Sequence, residues 1–202
     1  MSQLDPLTPP LVKGGAVREL VLWYEGKHGR AYVVGVFNRL SPEHAELLAP
    51  DRFALGLLPS TWYPAEIVHA ILESIAERHG PDGMRALLQT GNAHVVRRMS
   101  RGIYQYLFKL VGSPELYARY IQKAWNALHN TGIRHVVIER PGYAISTIES
   151  WAGHHPWLCE GTTETMRAVF EAVGCTDIVI ERVRCVSDGS KRCEAFVRYR
   201  EV

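Results

Sequence analysis

Over the first 130 positions the apolar residues recur at the helical period. Val17, Leu20, Val21 and Tyr24 fall at i, i+3, i+4 and i+7, and Val33, Val36, Phe37 and Leu40 repeat the spacing, which predicts two helices. Ser41 followed by Pro42 supplies an N-cap and a first-turn proline, so a short helix is expected over about 42–48. Pro50, Gly56 and Pro59 lie among scattered apolar residues, and 49–63 reads as a packed loop ending at Trp62-Tyr63-Pro64. Ile67, Ile71, Leu72 and Ile75 mark a helix closed by Gly80-Pro81. Apolar spacing resumes at Met84 and runs through Leu88, Val95, Met99, Ile103 and Leu107 to Leu110, as one long helix or two abutting ones. Ser113-Pro114-Glu115 opens another, carried by Tyr117, Tyr120, Ile121, Ala124 and Leu128 toward Asn130 and Gly132.

Beyond Gly132 the period changes to that of a sheet. Val136-Val137-Ile138, the Pro141-Gly142 turn and Tyr143 to Ile148 form a strand pair. Met166, Val169, Phe170 and Val173 restore helical spacing over 162–173, and Ile178–Val186 and Cys193–Tyr199 flank the hairpin sequence Ser187-Asp188-Gly189-Ser190-Lys191. Helical elements followed by β-β-α-β-β are segregated, not alternating, so the fold class is α+β: a helical N-terminal part packed on a small antiparallel sheet. Residues 1–12, proline-rich and polar, read as a flexible arm, and 13–202 as a single domain, since no linker separates the two halves.

The composition narrows the partners. With 23 Lys+Arg against 21 Asp+Glu the formal charge is +2, which gives no global reason to expect nucleic acid. No apolar run nears the roughly 20 residues of a membrane span. The start, MSQLDPLTPP, lacks the basic-then-apolar pattern of a secretory signal, so a cytoplasmic location is expected. Four cysteines in such a chain point to thiols or a metal, not to a disulfide framework.

A turn at Asp188-Gly189-Ser190 sets Cys185 opposite Cys193 with Cβ atoms roughly 4.5–5.5 Å apart. A third sulfur from Cys159 would complete much of a zinc site; the plainer alternative is three small buried hydrophobes. Glu181 lies four residues along the strand from Cys185, roughly 13 Å away and too far to share a coordination sphere unless a bulge intervenes. His154, His155 and Cys175 stay open as fourth ligands. His69, His79, His94 and His129 read as solvated or satisfied core residues, and Arg97, Arg98 and Arg101 as a solvated face. Nucleotide-binding glycine loops, the nucleophile elbow and His-Glu-x-x-His are all missing. Aromatics cluster in helices that must pack on the sheet, and Trp62, Tyr104, Phe108, Tyr120 and Trp125 are the candidate lining of an apolar ligand pocket.

The segment from Gly161 to Gly174, followed by Glu181-Arg-Val-Arg-Cys185-Val-Ser-Asp-Gly189-Ser-Lys-Arg-Cys193-Glu-Ala-Phe196, resembles the 4-vinyl reductase type domain. That family belongs to a fold group shared with haem nitric-oxide-binding sensors and Golgi transport tethering subunits. Trp62-Tyr63-Pro64 and Ser113-Pro114-Glu115 extend the resemblance to myxobacterial members. It implies a ligand-binding or interaction module, often a homodimer, that is not an enzyme. In aromatic-sensing relatives three cysteines and a glutamate hold zinc, which maps onto Cys159, Cys185 and Cys193, with Arg182 where those relatives carry the glutamate. The haem branch is disfavoured because no Tyr-x-Ser-x-Arg occurs. The leading expectation is thus a non-enzymatic sensor or regulatory module holding a small apolar molecule between helices and sheet. Its alternatives are a dimerising module that docks a regulatory protein partner without ligand, and a metal-dependent enzyme near His154, His155 and Cys159.

Overall fold

A computed structural model describes residues 9–100 and 112–201. The elements in order are β1 (Leu11–Lys13), α1 (Gly14–His28), α2 (Ala31–Val34), α3 (Pro42–Ala45), β2 (Trp62–Pro64), α4 (Ala65–Met99), α5 (Pro114–Asn126), β3 (Ile133–Arg140), β4 (Tyr143–Glu149), α6 (Pro156–Ala172), β5 (Thr176–Arg184) and β6 (Arg192–Arg200). Helices fill the N-terminal part and a four-stranded antiparallel sheet of order β3-β4-β6-β5 the C-terminal part, so the α+β class holds.

Most starts and stops follow from local chemistry. The Ser41 hydroxyl accepts from His44 N, and the Ser113 hydroxyl from Leu116 N, each with proline at the first helical position. α5 buries Tyr117, Ile121 and Trp125 at four-residue intervals, one stripe facing inward. Gly80, at φ 68°, kinks α4, so the helix expected to end at Gly80-Pro81 and the one expected to begin near Met84 form one bent element, Ala65–Met99; the part of the second expected over 101–110 lies outside the described residues. α1 lies so close to α4 that a Cβ on Gly91 would meet Leu20 Cδ1 at 2.7 Å and the Trp23 ring at 3.0 Å, so a larger residue there would push those side chains aside.

Four local expectations change. The second predicted helix splits at Gly35 into α2 and a 3-10 turn, Gly35–Arg39. Trp62–Pro64, read as loop, is a strand: it pairs with Leu11–Lys13, and Ala65 N donates to Pro10 O. The same pairing holds the end of the arm expected over 1–12, where Val12 is buried and Pro9 O accepts from Asn130 Nδ2. Residues 1–8 lie outside the described residues. Last, α6 begins at Pro156, six residues before the expected start, because Trp157 N donates to the His155 ring, which caps the helix ahead of Pro156. That longer first turn carries Cys159 into the interior.

Candidate functional site

Two places in the interior depart from close packing of apolar side chains. The first is a cavity of about 180 Å³ between α1, α4, α5, α6 and the start of β3. Its walls are aliphatic and aromatic: Val17 and Leu20 from α1, Ile71, Leu88, Val95 and Met99 from α4, Ile121 and Trp125 from α5, Leu158 and Val169 from α6. An apolar cavity of roughly 150 Å³ stays dry and takes up benzene, so this volume suits one or two rings.

The cavity's polar atoms fall into two classes. Asn92 and Thr165 satisfy one another, Thr165 Oγ1 donating to Asn92 Oδ1 at 3.0 Å while Asn92 Nδ2 donates to Leu88 O. His129 and Arg134 are not satisfied: His129 Nδ1 and Arg134 Nε are buried without a partner among the described residues. His129 follows α5 and stacks on Trp125 with ring centroids 4.0 Å apart. Burial first, and the Arg134 charge second, push its imidazole down to about 3, so it is neutral at pH 7. Trp125 is itself fixed: Nε1 donates to Thr131 O at 2.8 Å, and Gly132, at φ 95°, leaves room that a Cβ would close to 3.0 Å from Nε1.

Of the five expected pocket residues, Tyr120 and Trp125 line this cavity. Trp62 does not; it sits in the small sheet with the Lys13 ammonium over its ring. Tyr104 and Phe108 lie outside the described residues. His129 differs from the solvated or satisfied histidine expected from its place in the sequence. Arg134 gave no signal at all, because an alternating strand pattern hides which cation faces inward.

The second place is the hairpin end. Arg184 pairs with Glu194, so Cys185 stands opposite Cys193, and their Sγ atoms are 3.6 Å apart. Cys159 Sγ, from the first turn of α6, is 3.9 Å from Cys185 Sγ. His154 Nε2 lies 3.3 Å from Cys185 Sγ, and the four ligand atoms all fall within 4.8 Å of one another. Sulfurs bound at about 2.3 Å to one tetrahedral ion would be about 3.8 Å apart, which is the spacing found. Hydrogen bonding to Cys159 and then to His154 draws the Cys193 thiol below its ordinary range, while its bond to Cys193 and burial drive Cys159 above it. Three adjacent thiols cannot all ionise without a cation between them. Cys175 is packed elsewhere, in the core under α6, and His155 turns away to Glu73 Oε1 at 3.1 Å. His154, left open with those two by sequence, is the side chain that completes the cluster.

The two places share a wall. Trp151 meets Trp125 edge-on at 4.9 Å and His154 edge-on at 5.3 Å, and Trp125, Trp151, Cys159, Cys185 and Cys193 form one packed cluster.

No family model and no curated protein matches the chain. Solved structures do. An Fe(II) unliganded H-NOX protein from K. algicida aligns with TM-score 0.67 at 15% identity, over 94% of this chain and 97% of its own. An S. oneidensis H-NOX protein in the Fe(II)NO state aligns with TM-score 0.63 at 16% identity, over 94% and 99%. A structure described by how porphyrin distortion modulates haem redox potential aligns with TM-score 0.58 at 11% identity, over 91% and 96%. Setting haem aside for want of Tyr-x-Ser-x-Arg is thereby overturned: a missing tripeptide is no ground for dismissal when this is the fold of H-NOX haem proteins. The chain has the fold of the H-NOX domains, the fold group named from its hairpin.

Proposed function

We propose that this protein is a non-enzymatic sensor or regulatory module that takes a small, largely apolar ligand into the cavity between its helices and its sheet. The observation that carries the reading is the apolar cavity of about 180 Å³, bounded by four helices distant in sequence. Natural cores are packed with few voids larger than a water, so a cavity of this size is a site by default. Native mass spectrometry and calorimetry with toluene and indole test it. The expected outcome is one molecule bound per chain, weakened at least tenfold in Ile121→Trp, whose indole takes up part of the space, while stability changes by about 1–3 kcal/mol. No binding to wild type, or equal binding to both forms, would defeat it.

The hairpin cluster supports a second component, a thiophilic divalent ion of the zinc type held by His154, Cys159, Cys185 and Cys193. Four protein ligands fill a tetrahedron and leave no position for a reacting water, which favours a structural role over a metal-dependent enzyme. Three thiolates would leave such a site with one excess negative charge. Arg182, beside Cys159 and Cys193 and paired with Glu160, supplies the compensating cation where aromatic-sensing 4-vinyl reductase type relatives carry a ligand. Elemental analysis of the purified chain should find one ion, and none would remove this component.

Haem is a second reading, favoured by one feature beside the fold. The residues offer it a neutral imidazole with a free nitrogen at His129, a guanidinium for a propionate at Arg134 and apolar walls, which are the donor types a porphyrin takes. When bound, the group supplies an iron position for a diatomic gas. His129 would hold the iron, Arg134 would orient the edge, and the aliphatic walls would exclude water. The cavity as it stands accommodates one or two rings, so α4 and α5 would have to part. Titration with haemin separates the readings: a sharp Soret band lost in His129→Ala supports haem, and only weak, His129-independent absorbance opposes it.

The outer sheet face supports the homodimer or the docked partner. Val137, Ile145 and Phe196 lie in one row across β3, β4 and β6, with Val179 beside them on β5, and Val137 is 51% and Val179 48% exposed. Light scattering on wild type and on Val137→Lys checks this, with a shift to monomer expected in the variant.

A further inference from the structure

Arg134 enters the interior from β3, with 5% of its surface exposed. A guanidinium that deep ordinarily meets a carboxylate, because an unpaired buried charge is costly. Here its Nε has no partner among the described residues, its NH2 group has a long contact to Thr162 O at 3.4 Å, the Trp125 ring lies at 5.4 Å, and Glu194, which shares a small pocket with it, is ion-paired to Arg192 instead. No carboxylate is within ion-pair distance of Arg134 among the described residues. The same cavity wall presents His129 Nδ1, also unpartnered, whereas Asn92 and Thr165 are already paired with each other. An otherwise apolar chamber thus holds one buried, unused cation and one unused imidazole nitrogen.

We infer that the ligand of this cavity is an apolar monocarboxylate, its ring or branched chain against Leu88, Val95 and Ile121 and its carboxylate paired with Arg134. The inference rests on the cavity being a ligand site and adds the head group that site selects. An ionised acid brings into the cavity the charge that the guanidinium lacks, and a two-oxygen acceptor matches the fork of a guanidinium as a hydroxyl or amide does not. A hydroxyl or a plain hydrocarbon would leave Arg134 as unsatisfied as before.

The test compares phenylacetate, phenylacetamide and toluene by calorimetry on the full chain at one ionic strength. Phenylacetate is expected to bind at least tenfold more tightly than phenylacetamide, in keeping with a charge-assisted hydrogen bond. That preference should vanish in Arg134→Met and survive in part in Arg134→Lys. Equal affinity for acid and amide in wild type, or a preference that persists in Arg134→Met, overturns the inference whatever the variants' stability. Binding of toluene without phenylacetate overturns the head group and keeps the cavity; binding of none of the three removes both.

Discussion

The cavity and the hairpin cluster are joined through Trp125, which lines the cavity, and Trp151, which meets both Trp125 and His154, yet they are built on opposite principles. The cluster is made of directional donors whose positions leave no slack: three sulfurs and an imidazole within 4.8 Å, two of the sulfurs set by strand register. The cavity is made of volume left over where four helices fail to close, and nearly any apolar side chain could serve at most of its positions. The first should fail abruptly when one atom is changed. The second should respond in proportion to the space filled or the charge removed.

The sharpest way to break that contrast is Cys185→Ser. Cys185 is fully buried and central to the cluster, so the substitution should abolish stoichiometric metal. It should also cost about 3 kcal/mol, because binding at a structural site contributes to folding. For a chain of this length that is a fall of roughly 6–12 °C in Tm. Chelation of the wild type should produce a similar fall. A variant that loses its metal but keeps its Tm would show that the ion does not hold hairpin and α6 together.

The same contrast explains what could be read from the sequence. Cys185 and Cys193 are eight residues apart on a hairpin, and a period-2 pattern with Asp188-Gly189 between them fixes which side chains meet. Cys159 joins them only because α6 starts at Pro156, and the signal for that start, a histidine cap before proline, is weaker than serine or aspartate. His154 could be named only as one of three, since the turn between Trp151 and Pro156 decides where its ring points. The cavity was legible as a tendency, through aromatic density, but not as a residue set. Tyr120 and Trp125 face it while Trp62 was drawn into a sheet formed with residues more than 45 positions earlier. Helix phase within α5 was readable; pairing between β1 and β2 was not, because each is three residues long. The absence of Tyr-x-Ser-x-Arg misleads about haem for a related reason: a missing motif says little when the fold itself is set by long-range packing.

Acid should act on the cavity side by a graded amount. His129 titrates at about 3 in the folded chain against an ordinary 6.5, so the unfolded chain binds the extra proton between those values. Stability is therefore fully present above pH 6.5 and is lost progressively as pH falls toward 3. Between pH 7 and pH 5 the expected loss is about 2 kcal/mol. Arg134 faces His129 and opposes its protonation, while His69, also lowered by burial, contributes to the raw curve. Subtracting the curve of His129→Phe from that of wild type isolates the one imidazole. A difference curve that is flat between pH 7 and pH 5 in unfolding free energy from chemical denaturation would mean that His129 is hydrated in solution.

The smallest effect belongs to Ser187, whose hydroxyl donates to Cys185 Sγ at 3.0 Å from the 3-10 turn following that cysteine. Such a bond stabilises a thiolate and aims its lone pair without itself touching the ion. Ser187→Ala should leave fold and stoichiometry intact, lower stability by about 0.5–1 kcal/mol and loosen the metal roughly tenfold in competition with a chromophoric chelator. Cavity ligands should bind the variant as they bind wild type, because Ser187 does not line the cavity. If affinity in the cavity falls together with affinity for the metal, the shared Trp125–Trp151–His154 contact transmits more than packing, and the two regions answer to each other despite their different construction.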